Sequence, residues 1–132
     1  MSETLVITPD LTPDQLAARL SAYTVSTALT NAVASTVASE SVDVYGTVTW
    51  RLQLTRTDGT RAVREITARH NGTTGADATT PTWSSQGEGD LTGWTIACDL
   101  SGAGTSQLLR LRVTAPATNW TASVTRAYHK AI

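Results

Sequence analysis

Residues Val42–Arg56 place the tightest constraint on how this chain folds. Val44, Val48, Trp50, Leu52 and Leu54 fall on one side of a two-residue repeat, and Arg51, Gln53 and Thr55 fall on the other. Successive side chains of a strand point to opposite faces, so the pattern predicts a long β-strand with one apolar and one wet face. Gly46 interrupts the run and marks a bulge or bend. Thr57-Asp58-Gly59-Thr60 follows. Asp-Gly between alternating runs is a hairpin signal, because the turn demands residues that tolerate positive φ. The return strand is expected over Arg61–His70, with Ile66 and Ala68 inward.

The same alternation recurs downstream. Strands are expected over Gly93–Leu100, Gln107–Thr114 and Asn119–Ala127. Leu109, Leu111 and Val113 alternate with Arg110 and Arg112, and Trp120, Ala122 and Val124 alternate with Thr121 and Thr125. Five or six antiparallel strands of this kind predict a mainly β fold, an antiparallel β-sandwich or jelly-roll-like head. Between them, Asn71–Asp90 reads as a loop of about twenty residues rich in Gly, Thr, Ser and Pro, a length more often functional than connective.

Upstream of Glu40 the chain has a different character. Leu20–Ser39 carries no charged residue and is dominated by Ala, Ser and Thr. Met1–Asp10 reads as an extended arm. Thr12-Pro13-Asp14-Gln15 then forms a capping box with Pro at the first helical position, which predicts a helix to about Ala22 with Leu16 and Leu20 on one face. A second helix is expected to about Ser39, with Leu29, Val33 and Val37 in i, i+4 register. A helix with no charge on any face is seldom surrounded by water, so this one is expected to pack on sibling copies or on its own head. The organisation is therefore read as an arm and helical stalk over residues 1–41 and a β head over 42–132.

Composition narrows the class. At 40% hydrophobic and 16% charged residues the chain is too apolar to be disordered and too polar to be built for a bilayer. The uncharged run has the length of a membrane span, but its Ser, Thr and Asn make insertion unfavourable, and Met1–Leu11 lacks the pattern of a signal peptide. A net charge of −1 supplies no electrostatic reason for a nucleic-acid or acidic-membrane partner. Arg51, Arg64, Arg69, Arg110 and Arg112 suit interstrand pairing with Glu65 and other acids better than a single-strand groove, because the Trp residues mostly alternate onto the other face.

Few residues point to chemistry. His70 and His129 stand at no metal-ligand spacing from each other or from Cys98, so no metal and no cofactor are expected, and both read as exposed or strand-end histidines. Cys98, in the alternation Trp94–Ile96–Cys98–Leu100, reads as a small buried hydrophobe. Gly102-Ala103-Gly104 lacks the strand–turn–helix context of a phosphate loop and reads as a turn. Glu88 and Asp90 sit in the long loop, where two carboxylates are more often solvation or turn residues than a catalytic pair. Trp83, in the same loop, is read either as a packing anchor or as a ligand and partner contact.

Two segments resemble bacteriophage virion proteins. Tyr23-Thr24-Val25-Ser26-Thr27-Ala28-Leu29-Thr30-Asn31-Ala32-Val33 is similar to short stalk units of tail and head fibres. In those, a Tyr-x-x-Ser/Thr-x-x-Leu pattern precedes an Ala-rich helix packed about a threefold axis. Leu111-Arg112-Val113-Thr114-Ala115-Pro116-Ala117-Thr118-Asn119-Trp120-Thr121-Ala122-Ser123-Val124 resembles the last two strands of small fibre heads. The resemblance covers about a quarter of the chain. It implies a non-enzymatic virion protein: a short fibre, head spike or capsid decoration. It also implies a homotrimer joined through Leu16, Leu20, Leu29, Val33 and Val37, with the N-terminal arm on other capsid or tail proteins. The alternative is a carbohydrate-binding adsorption module that contacts a host-surface glycan through Trp83, Glu88 and Asp90.

Overall fold

The computed structural model describes residues 24–73 and 77–131. They form eight strands: β1 (Thr24–Ala28), β2 (Ala34–Ser41), β3 (Tyr45–Arg56), β4 (Arg61–His70), β5 (Pro81–Glu88), β6 (Thr95–Ser101), β7 (Leu108–Thr114) and β8 (Trp120–Ala131). One sheet has five strands in the order β1-β8-β3-β4-β5, and the other has three in the order β2-β7-β6. All the strand pairings within both sheets are antiparallel. The inner faces meet in one core, with Trp50, Leu52, Leu54 and Ile66 from the large sheet against Leu109, Leu111 and Val113 from the small one. The fold is thus mainly antiparallel β and consistent with a β-sandwich.

The long alternating strand behaves as its sequence predicts. Val48, Trp50, Leu52 and Leu54 are all fully buried, as are Ile66 and Ala68 on β4. The register skips Gly46, which is the expected bulge. At the hairpin, Gly59 takes φ +93°, Gly59 N donates to Arg56 O, and Asp58 Oδ1 accepts from Thr60 N at 2.9 Å. Val44 departs from the expected pattern. It lies in the turn before β3 and is 49% exposed, while Val42 takes the buried place.

The second predicted helix is absent. Residues 24–41 form β1 and β2, one in each sheet, joined by a turn in which Ala32 takes φ +62°. Thr24, Val25, Thr27, Ser35, Thr36 and Val37 are β-branched or hydroxyl-bearing, and such residues lose freedom in a helix but pack well on a pleated surface. The lack of charge has a local cause on β1. Its outward hydroxyls pair across to β8, Thr24 with Thr125 at 2.9 Å and Ser26 with Ser123 at 3.0 Å. The boundary drawn at residue 41 therefore falls inside the sandwich, which has begun by Thr24. The first predicted helix, with Leu16 and Leu20, lies outside the described residues.

The expected long loop also contains a strand. β5 pairs with β4 along its whole length, Pro81 opposite His70 and Glu88 opposite Val63. The shorter connection before it is fastened at both ends. Asn71 Oδ1 accepts from Thr79 N and Thr80 N, and the side-chain amide of buried Gln107 exchanges two hydrogen bonds with the main chain of Ala78.

Candidate functional site

Glu40 occupies a position in β2 that its neighbours give to the core. It lies opposite Leu109, whose side chain is inward, and its own side chain is 4% exposed. A buried carboxylate requires partners, and β8 provides two. Arg126 clamps it bidentately, Nε to Oε1 at 3.0 Å and Nη2 to Oε2 at 2.8 Å. His129 Nε2 lies 3.2 Å from Oε2, close enough for an ion pair but not aligned as a hydrogen bond. The cluster pins the small sheet to the large one.

Backbone irregularity makes this convergence possible. Arg126 and His129 are three residues apart, and in a regular strand they would point to opposite faces. In β8 the register runs Arg126 opposite Trp50, Tyr128 opposite Thr49 and His129 opposite Val48, leaving Ala127 unpaired. That bulge returns His129 to the inner face, because Trp50 and Val48 both point inward. Tyr45 completes the group, its ring edge-on to His129 at 5.1 Å and 5.8 Å from the Arg126 guanidinium. The Tyr45 carbonyl accepts from His70 Nε2, while His70 Nδ1 accepts from Gly72 N at 3.0 Å. Both histidines, expected at exposed or strand-end positions, are thus engaged around one tyrosine.

Beside this cluster the sandwich opens into a cleft of about 300 Å³. Val25 and Thr27 of β1, Val124 and Arg126 of β8 and Trp50 of β3 line it from the large sheet, and residues from Thr36 to Glu40 of β2 line it from the small one. Val25 stands opposite Val124, which is 3% exposed, yet Val25 is 58% exposed. Its side of the sheet is the core side, so the exposure reflects missing cover rather than an outward orientation. Trp50 Nε1, deep in the wall, has no hydrogen-bond partner.

The residues singled out from the sequence are scattered. Leu29 and Val37 are 8% and 3% exposed in the sandwich's own core, one just after β1 and one from β2, so they are not available to sibling chains. Val33 is exposed in the turn before β2. Trp83 is on β5 rather than in a loop, opposite buried Ala68 and therefore on the core side, but the sheet edge leaves it 38% exposed. Glu88 is on the other face of the same strand, five residues and ~16 Å along it. Asp90 lies in the next turn and accepts from Thr92 N at 2.9 Å and Thr92 Oγ1 at 2.6 Å, bonds that hold its carboxyl below the ordinary carboxylate value. These three do not converge.

The remaining polar groups are largely committed to each other. Asp99 on β6 takes a bidentate clamp from Arg110 at 2.7 and 2.8 Å and has Arg112 at 3.7 Å, and Arg51 faces Glu65 at 3.7 Å. Arg64 turns back to the carbonyls of Val63, Glu88 and Gly89. Burial pushes the Cys98 thiol up to about 12, with adjacent Asp99 adding to the effect, so it is a poor nucleophile. Among the described residues no three His, Cys, Asp or Glu side chains gather as metal ligands, and no helix is long and apolar enough to cross a membrane. No protein family, curated protein or solved structure matches the chain.

Proposed function

We propose that this chain is a non-enzymatic structural protein of a bacteriophage virion, a short fibre, head spike or capsid decoration. The observation that carries the reading is where the reactive side chains go. Glu40, Arg126 and His129 pin the two sheets, Asp99 and Arg110 brace one of them, and Cys98 is buried. A sandwich that spends its charged and nucleophilic groups on internal bracing suits a particle component better than a catalyst. The resemblance of Leu111–Val124 to fibre heads adds support, since that segment runs from β7 through the 115–119 turn into β8 and so joins the middle strand of one sheet to an inner strand of the other.

The other resemblance, Tyr23–Val33, supports less. Its described part is β1 and a turn instead of a stalk, and Leu29 and Val37 are used up inside one copy. The homotrimer therefore stands as a proposal without that stalk behind it, and docking on the virion is assigned to residues 1–22. Mass spectrometry of virions purified from the source of this sequence should find the protein in stoichiometric amount. Its absence from washed particles would overturn the reading. A second reading, adsorption to a host glycan, is favoured by the half-exposed Trp83 ring on an edge strand. Trp83→Ala should then abolish signal on a glycan array, and an array silent for the unaltered protein would remove this reading.

A further inference from the structure

Four strands end the two sheets, β1 and β5 in the large one and β2 and β6 in the small one. An edge strand leaves a row of main-chain groups open to another chain, and proteins blunt such edges with short strands, bulges and charges. Three of the four are blunted. β1 has five residues, β2 breaks register between Thr36 and Ala38, and β6 carries Asp99. β5 is the exception. It pairs with β4 over eight residues without a register shift, and between Pro81 and Glu88 at its ends it carries no charge. On its core side Trp83 and Ser85, opposite buried Ala68 and Ile66, are both exposed.

The strand is also complementary to itself. Two antiparallel edges brought together by a twofold axis keep their faces, so core-side residues meet core-side residues. With the axis at Ser85, Trp83 of each copy stands opposite Gly87 of the other, and each Glu88 stands opposite Thr82 rather than a second acid. Gly87 has no side chain to oppose an indole, and an aromatic ring laid over an edge glycine supplies the missing cover. The neighbouring register, with its axis at Ser84, sets Pro81 opposite Gly87 and gives the indole no such gap. Arg64 of β4, two residues from inward Ile66, lies opposite Gly87 and donates to the carbonyls of Glu88 and Gly89. Its guanidinium would lie beside the incoming indole as a cation–π partner. We propose that β5 is a self-association edge, pairing antiparallel with β5 of a second copy so that the two large sheets run on as one. The contact joins copies in pairs and goes beyond the virion reading, since it holds on or off a particle.

Two measurements on the full-length protein test it. Ser85→Cys puts a thiol on the axis, where facing Cβ atoms stand ~4.5–5.5 Å apart, a small shift from disulfide distance. Thr82→Cys is the control, because in this register Thr82 lies ~20 Å along the strand from its own copy, and Cys98 is buried. Mild oxidation should convert Ser85→Cys to a covalent dimer and leave Thr82→Cys monomeric on a non-reducing gel. Equal linking of both variants, or no linking of Ser85→Cys, would overturn the proposal. Edge pairing alone falls at the small end of interfaces, below ~1,200 Å², where contacts are weak, so sedimentation should show a monomer–dimer equilibrium that depends on concentration. Ser85→Lys sets two like charges on the axis and should weaken that association about tenfold or more, with the circular dichroism of the fold unchanged. A monomer at every concentration would overturn the proposal and leave the edge to a different chain. Association unaffected by Ser85→Lys would place the contact elsewhere and overturn it too. No variant alters Trp83, so these outcomes are distinct from that of the glycan reading.

Discussion

Replacing Arg126 with Met tests whether the Glu40 cluster holds the sheets together. The carboxylate is 4% exposed and receives two charge-assisted hydrogen bonds from Arg126, at 3.0 and 2.8 Å. Removing one partner of a buried pair leaves the other charge stranded, at a cost of ~3–5 kcal/mol. Arg126 is itself 32% exposed, so water can enter where the guanidinium was, and His129 remains 3.2 Å from Oε2. The lower end, about 3 kcal/mol, is therefore expected, or a fall in Tm of roughly 12 °C at about 4 °C per kcal/mol. Glu40→Leu with Arg126→Met removes both charges and fills the space with apolar atoms, so it should return to within about 1 kcal/mol of the unaltered protein. Urea unfolding followed by circular dichroism gives both values and the coupling between the two sites. A cost for Arg126→Met below about 0.5 kcal/mol, the range of an ordinary surface substitution, would refute the reasoning.

Gly87→Ala should cost about 2–3 kcal/mol, because a Cβ there would sit 2.0 Å from Val63 O and force β4 and β5 apart, whereas Gly59→Ala meets no neighbour and strains only the φ of its turn. Thermal melts of the two variants compare them, and equal losses would contradict the clash argument. Cys98 should react with a thiol reagent at pH 8 only as fast as the protein unfolds, and a folded-state rate like that of a free peptide thiol would show that the site is open. Asp58 is held below its ordinary value of 3.8 by hydrogen bonds from the main chain and then the side chain of Thr60. A depressed carboxyl stabilises the fold above its unfolded value and loses that contribution as pH falls through the folded one. The stability gap between the unaltered protein and Asp58→Asn should therefore be present at neutral pH and close well below pH 3.8, and a gap independent of pH would exclude the effect.

The sequence was most legible where one face is fully buried and the other fully wet. β3 and β4 show that contrast most fully and β7 and β8 more weakly, with outward residues only half-exposed; the boundaries of β4 and β7 lie within a residue of those expected, whereas β8 runs on to Ala131 beyond the expected Ala127. β5 gave no such signal. Seven of its eight residues are exposed, its only large apolar side chain is Trp83, and what makes it a strand is its pairing with β4. The helical reading of residues 26–39 had a different cause. Leu29, Val33 and Val37 stand four apart, but of the two that are buried Val37 is on β2 of the small sheet, whereas Leu29 comes just after β1 of the large one. Their spacing was a coincidence, and the Thr and Val content carried the information. Glu40 closed an uncharged run and looked like the end of a stalk. Its burial depends on which residue of β7 lies opposite, and no local pattern in β2 contains that.

Arg126 and His129 are hidden from any reading based on alternation, since three residues apart means opposite faces unless an extra residue intervenes. Ala127 is that residue, and its position leads to a test that separates register from composition. Deleting Ala127 leaves Arg126, Tyr128 and His129 consecutive and paired with Trp50, Thr49 and Val48 as they are now. Both side chains that meet Glu40 would keep their face. Deleting Thr125, two residues earlier, removes a paired position, and drawing Ala127 into the ladder opposite Trp50 keeps the face of Val124 and His129 but turns Arg126 outward opposite Arg51. The two shortened chains differ only in whether Ala or Thr is missing from one strand. The first should fold with a modest loss of stability, and the second should lose the Arg126 clamp on Glu40 and with it about 3 kcal/mol. If urea unfolding showed the two equally damaged, β8 would not carry its bulge at Ala127, and the convergence on Glu40 would need another explanation.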